Sequence, residues 1–135
     1  MTVLVIDDEE DIRLLARVGL TASGASVVSA AGGEEGVRLA REASPDVILL
    51  DVMMPGMDGR TTLEALRSDP QSASIPVLFL TAKDRAQVDA SLLGLPRVGF
   101  LNKPFVPREL ADGIKAFLAR LTVADPRSPI SDPRS

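Results

Sequence analysis

The feature that most limits how this chain can fold is a strict alternation: five short apolar runs, each followed by a stretch whose apolar residues have helical spacing. Val3-Leu4-Val5-Ile6, Val47-Ile48-Leu49-Leu50 and Val77-Leu78-Phe79-Leu80 lack any polar alternation, which suits strands covered on both faces. Residues 98–101 make another such run and residues 25–30 a weaker one. Between them, Ile12, Leu15, Ala16 and Gly19 mark the inner face of a helix over 9–22, with Gly19 small enough for close packing. Val37 and Ala40 point inward from a helix at 34–43. Leu63 and Leu66 do so from a helix that starts at an Asp58 N-cap and reaches Ser68. Val88 and Leu92 share a face over 84–93. The clearest stripe is Leu110, Ile114, Phe117, Leu118 and Leu121, on a helix with Pro107 in its first turn, where a missing N–H costs nothing. Ser23-Gly24, Gly32-Gly33, Ser44-Pro45 and Pro55-Gly56 punctuate the series.

Strand and helix in this order predict an α/β fold, a five-stranded parallel sheet with helices on both faces. By analogy with other open sheets of five units, the strand order is 2-1-3-4-5, which sets the first and third strands side by side at the switch point. A chain of 135 residues that is 45% hydrophobic can build one domain with a full core, here residues 1–122. Residues 123–135 read differently. The tetrapeptide DPRS occurs at 125–128 and again at 132–135, three of the ten prolines fall here, and from Asp125 onward Ile130 is the single large aliphatic residue. So little apolar surface cannot offset the entropy of ordering, and the segment is expected to be a disordered tail or linker.

The net charge of −4 argues against direct contact with nucleic acid or an anionic membrane, both of which need clustered Lys and Arg. Without cysteine there is no disulfide, thiolate metal site or cysteine nucleophile. Without histidine the chain lacks the commonest general base and transition-metal ligand and cannot carry its own phosphohistidine. No apolar run reaches membrane-spanning length, and the expected location is the cytoplasm.

What the strands deliver at their carboxyl ends is chemically specific. The first run stops at Asp7-Asp8, the third at Asp51 and the fourth at Thr81, while the fifth is followed by Lys103-Pro104. Ligands of open α/β sheets bind outside these ends, so three carboxylates, a hydroxyl and an ammonium are expected at one site. Crowded carboxylates need a proton or a cation. Mg2+ is the economical cation, since it takes one or two protein carboxylates and leaves its other positions to water or phosphate. Lys103 and Thr81 would then hold a transferred phosphoryl group, and Asp51, at the centre of the sheet, would be the nucleophile.

Each residue also has an ordinary structural reading. Asp7, Asp8, Glu9, Glu10 and Asp11 form an acidic run that favours a helix dipole, and Asp51 could be a cap. Thr81 is a common strand residue, Lys103 a turn lysine, and Phe100 and Phe105 core aromatics. Joint placement separates the two readings, because each polar residue falls at the same end of a different strand.

Through VLVIDDEE at 3–10, DVMMPGMDG at 51–59, LTA at 80–82 and KPF at 103–105, the chain resembles the receiver domain of bacterial two-component response regulators, over residues 2–121. The resemblance implies a flavodoxin-like (βα)5 fold and a phospho-acceptor signalling module. Asp51 would accept a phosphoryl group from a sensor histidine kinase or a histidine phosphotransfer protein, and the domain would catalyse only its own phosphorylation and dephosphorylation. Mg2+ would be bound by Asp8, Asp51 and the backbone carbonyl of Met53, with Asp7 acting through water. Thr81, Ala82 and Lys103 would contact the phosphoryl group, and the bond before Pro104 would be cis. Thr81 and Phe100 would form the switch that alters the surface of the fourth helix, fifth strand and fifth helix, where a downstream effector or a fused output domain engages.

The chain departs from the family pattern in places. Phe100 stands where tyrosine is frequent, and Val98-Gly99 where transcription-factor receivers carry acids that pair with basic residues such as Arg108 across a dimer. A monomer or a weak phosphorylation-dependent dimer is therefore expected. Met53 and Lys83 occupy the two positions that tune phosphoryl lifetime in the family. Two other functions stay open at this point: a scaffold that binds its partner without phosphorylation, and a Mg-dependent phosphatase working through an aspartyl phosphate.

Overall fold

A computed structural model describes residues 1–82, 92, 94–103 and 105–124. Five strands and four helices follow in the order β1 (Thr2–Ile6), α1 (Glu10–Ala22), β2 (Ser26–Ala30), α2 (Gly33–Ala43), β3 (Val47–Asp51), α3 (Gly59–Ser68), β4 (Val77–Thr81), β5 (Val98–Asn102) and α4 (Pro107–Ala124). The sheet has the expected order β2-β1-β3-β4-β5, with every neighbouring pair parallel. Except for Leu92, the helix expected at 84–93 falls outside the described residues, as do Pro104 and residues 125–135. The expected fifth helix is α4.

Alternate residues of each strand feed two separate cores, as the period of two requires. Leu4, Ile6, Ile48, Leu50 and Phe79 pack with Ala40 of α2 and with Leu63 and Leu66 of α3. Val3, Val5, Leu49, Leu78 and Leu80 pack with Ala16 and Leu20 of α1 and with Leu110, Ile114 and Phe117 of α4. Both faces are thus covered, which is why β1, β3 and β4 read as unbroken aliphatic runs.

The helices confirm most of the periodic reading and correct it once. On α1 the buried stripe is Ala16, Gly19 and Leu20, whereas Leu15 is 39% exposed. Leu15 lies about a quarter turn from the centre of that stripe, so its spacing from Gly19 alone misplaces it. Gly19 does allow close packing, because a Cβ there would stand 2.5 Å from Pro107 Cβ and 2.6 Å from Pro107 O. The first turn of α4 therefore seats on α1 only at a glycine. Asp58 caps α3 as expected, its side chain accepting a hydrogen bond from Thr61 N at 2.9 Å. That bond holds the Asp58 carboxyl below its ordinary pKa.

Candidate functional site

Parallel register brings the polar strand ends to one edge. Ile6 pairs with Leu50, Asp51 with Leu80, and Thr81 with Asn102, so Asp7, Asp51, Thr81 and Lys103 fall at successive positions along it. Backbone hydrogen bonds carry the alignment beyond the strands: Asp7 N donates to Ala30 O at 3.1 Å, Val52 N to Leu80 O at 3.1 Å, and Lys103 N to Thr81 O at 2.7 Å. The Asp51 corner is tight. Gly59 N donates to Val52 O, and a Cβ on Gly59 would lie 2.6 Å from Asp51 O.

Asp7, Asp51 and Thr81 are buried. Asp7 Oδ1 accepts from Glu9 N at 2.9 Å, and Asp51 Oδ1 from Met53 N at 3.2 Å. The Lys103 ammonium enters this carboxylate group with only 10% of its side chain exposed, 2.9 Å from Asp7 Oδ2, 3.1 Å from Glu9 Oε1 and 3.4 Å from Asp51 Oδ1. Burial alone would lower the Lys103 pKa, but contact with Asp7, the charge of Asp51 and a hydrogen bond to Glu9 outweigh it and hold the lysine above its ordinary value. Asp51 moves the opposite way for a carboxylate. Burial, followed by the negative charge of Asp7, pushes it up to about 7 against the opposing pull of Lys103 and the Met53 N–H, and a hydrogen bond with Asp8 adds to the rise.

Asp8 is exposed and shares the mouth of the cleft, where carboxylate oxygens of Asp7, Asp8 and Asp51 lie within 4.8 Å of one another. A cluster of three such groups facing one ammonium retains an excess of negative charge. That excess adds, through the charge of Asp7, to the rise that burial imposes on Asp51. All-oxygen donors with an open side suit a hard divalent cation.

The other expected residues occupy distinct environments. The Met53 side chain is 66% exposed and Ala82 is exposed. Phe100 belongs to the apolar face on the α2 and α3 side, half-buried and stacked on Phe79 with ring centroids 5.5 Å apart. Phe105 is a core aromatic. One contributor was missed by sequence reasoning: Glu9, which reaches Lys103 across 94 residues of chain. It lay within the acidic run 7–11, whose composition does not distinguish the residue that turns back to the cleft from those that continue into α1.

Among the described residues, no helix is long and apolar enough to cross a membrane. A family model described as the response regulator receiver domain matches residues 3–115. The chain is similar to the alkaline phosphatase synthesis transcriptional regulatory protein PhoP of Bacillus subtilis, 41% identical over 126 residues that cover 93% of this chain and 52% of that protein. It is also similar to the phosphate regulon transcriptional regulatory protein PhoB of Pseudomonas aeruginosa, 36% identical over 132 residues, covering 96% and 56%. The chain spans about half the length of these curated relatives. Among solved structures, the chemotaxis protein CheY4 of Vibrio cholerae superimposes with a TM-score of 0.79 at 33% identity, covering 86% of this chain and 97% of that one.

Proposed function

Because this chain belongs to the family of response regulator receiver domains, we propose that Asp51 accepts a phosphoryl group from a phosphohistidine on a separate protein. The donor is a sensor histidine kinase or a histidine phosphotransfer protein, and the reaction takes place in the cytoplasm. The observation that carries this reading is the convergence on one buried carboxylate, Asp51, of a lysine ammonium at 3.4 Å and two further carboxylates.

An Asp51 carboxylate oxygen attacks phosphorus in line with the leaving nitrogen. The P–N bond of the donor breaks, an O–P bond to Asp51 forms, and the histidine ring takes up the proton it then needs. Lys103 supplies an ammonium for a phosphoryl oxygen, and the Thr81 hydroxyl donates to another. Ala82 leaves room beside them. Asp7 stays back from the phosphoryl group, its Oδ1 engaged by Glu9 N and its Oδ2 facing Lys103. Asp8, Asp51 and the Met53 carbonyl would hold Mg2+, with Asp7 acting through water, and the ion would supply charge neutralisation for the phosphoryl oxygens. The raised pKa of Asp51 means that occupancy of this site by a cation also favours the ionised nucleophile.

The output is a change of surface. Thr81 moves toward the phosphoryl group and Phe100 leaves its stack on Phe79 to follow, which alters β5 and α4 for a downstream effector or a fused output domain. A monomer or a weak phosphorylation-dependent dimer is the working state, and residues 123–135 are the tail or linker beyond the receiver. The module turns over no external substrate.

Intact mass after incubation with Mg2+ and a small acyl phosphate or phosphoramidate donor tests this. The expected result is a single phosphoryl adduct that requires Mg2+ and is absent from Asp51→Asn. No adduct with either donor, or an adduct retained by Asp51→Asn, overturns the assignment.

A further inference from the structure

Lys103 has three ammonium hydrogens and three carboxylate neighbours, but these neighbours are not equivalent. Asp7 and Asp51 are buried and fixed at strand ends. Glu9 precedes α1 and its side chain is 58% exposed. The directed hydrogen bond of Lys103 goes to the exposed one, Nζ to Glu9 Oε1 at 3.1 Å. Asp7 Oδ2 lies nearer, at 2.9 Å, yet this buried oxygen accepts no aligned hydrogen bond. A buried carboxylate oxygen without a directed donor is costly, so the ammonium is oriented at the expense of the interior of the cleft.

We propose that Glu9 is a positioning residue, a latch that turns Lys103 toward the mouth of the cleft and must release it before the lysine can bind a phosphoryl group on Asp51. The proposal rests on the receiver reading above and adds a residue to which that reading gives no role. The chemistry follows from competition over which way one ammonium faces. A phosphoryl group on Asp51 brings anionic oxygens to the side of Nζ that Asp51 Oδ1 already faces, 3.4 Å away. Those oxygens draw the whole ammonium inward, and the contact given up is the one to Glu9, because Glu9 alone of the three partners can swing into solvent without leaving a buried charge unpaired. The same negative charges repel the Glu9 carboxylate, so phosphorylation and the latch exclude each other. In the unphosphorylated protein the latch holds affinity for anions down. Exposure of Glu9 limits the size of the effect to about two- to fivefold.

Beryllofluoride, which takes the place of a phosphoryl group on a carboxylate, is the probe, titrated by fluorine NMR at saturating Mg2+. The chain has no tryptophan or tyrosine for a fluorescence readout. Glu9→Gln keeps the length and removes the charge. Glu9→Asp keeps the charge and draws it back by about 1.5 Å, one carbon–carbon bond. Both variants are expected to bind beryllofluoride about two- to fivefold more tightly than the parent chain, with unchanged thermal unfolding. Affinity in Glu9→Gln equal to or below that of the parent overturns the latch. Tightening in Glu9→Gln but not in Glu9→Asp also overturns it, since a general field at the mouth would then suffice. Asp51→Asn separates the two levels of argument. Binding that it abolishes supports the receiver reading whatever the Glu9 variants do, and a parent chain that binds no beryllofluoride refutes both.

Discussion

Asp51→Asn is expected to stabilise the fold, and by an amount that depends on pH. Asp51 is 4% exposed, and its pKa rises from an ordinary 3.8 to about 7 through burial first and the charge of Asp7 second. The sign follows from proton linkage. Between 3.8 and about 7 the folded protein binds more protons at this site than the unfolded chain, so the Asp51 contribution to stability falls as pH rises through that window and is flat above it. A tenfold ratio for each pH interval sets a ceiling of roughly 4 kcal/mol on the cost of ionising Asp51 in the fold at neutral pH. Asparagine removes that charge but also the 3.4 Å contact with Lys103, which keeps its contacts with Asp7 and Glu9. The net gain should be about 1–3 kcal/mol at about pH 8 and should shrink as pH falls through that window, reaching its floor only below about pH 4, where Asp51 is protonated in the folded and the unfolded chain alike. Urea unfolding followed by far-ultraviolet circular dichroism, with a chelator present, measures both values. On the proposed reading, added Mg2+ should close the gap from the other side by stabilising the parent chain, whose acidic cluster would bind the ion in the folded state only. A gain that is equal at both pH values, or a loss at about pH 8, would refute the view that repulsion and burial at Asp51 strain the resting cleft.

Three packing and capping tests bear on how the site is held. Gly59→Ala places a Cβ 2.6 Å from Asp51 O and 2.9 Å from Val52 Cα, so a loss of about 1–3 kcal/mol in chemical denaturation is expected, and on the proposed reading slower phosphorylation, because Asp51 would shift. Unaltered stability would show that the corner is looser than its distances imply. Asp58→Ala removes the acceptor for Thr61 N and should cost about 1 kcal/mol, while Asp58→Asn should restore most of it. Phe117→Ala empties a buried position beside Gly99 and should lower stability by about 3–5 kcal/mol, again by denaturant titration. A smaller loss would mean that α4 closes onto β5 once the ring is gone.

The relation between chain and fold differs from element to element. Val47-Ile48-Leu49-Leu50 could be read as a central strand because burial on both faces removes the polar alternation that an exposed sheet would keep. Leu110, Ile114 and Phe117 could be read as one helix face because their spacing matches the helical period, and all three are buried. Leu15 was misread because spacing fixes an angle on the helix but not which angles the sheet and α4 cover. The polar groups that meet in the candidate site were legible for a related reason. A polar residue that halts an aliphatic run marks a strand end whatever the neighbouring strands are; Asp7, Asp51 and Thr81 carry that mark, and Lys103 follows Asn102, which halts the run at 98–101.

Local sequence thus determined the elements, their alternation and the polar groups at their carboxyl ends, because propensity, burial period and chain breaks act over a few residues. Tertiary structure alone decided which of those groups touch. The sheet register sets Lys103 among Asp7, Glu9 and Asp51, residues 94 positions from it in the case of Glu9. The pKa of Asp51 and the direction in which Lys103 points are consequences of that assembly. Charge interactions depend on distance and burial in three dimensions, and neither quantity exists until the strands have paired.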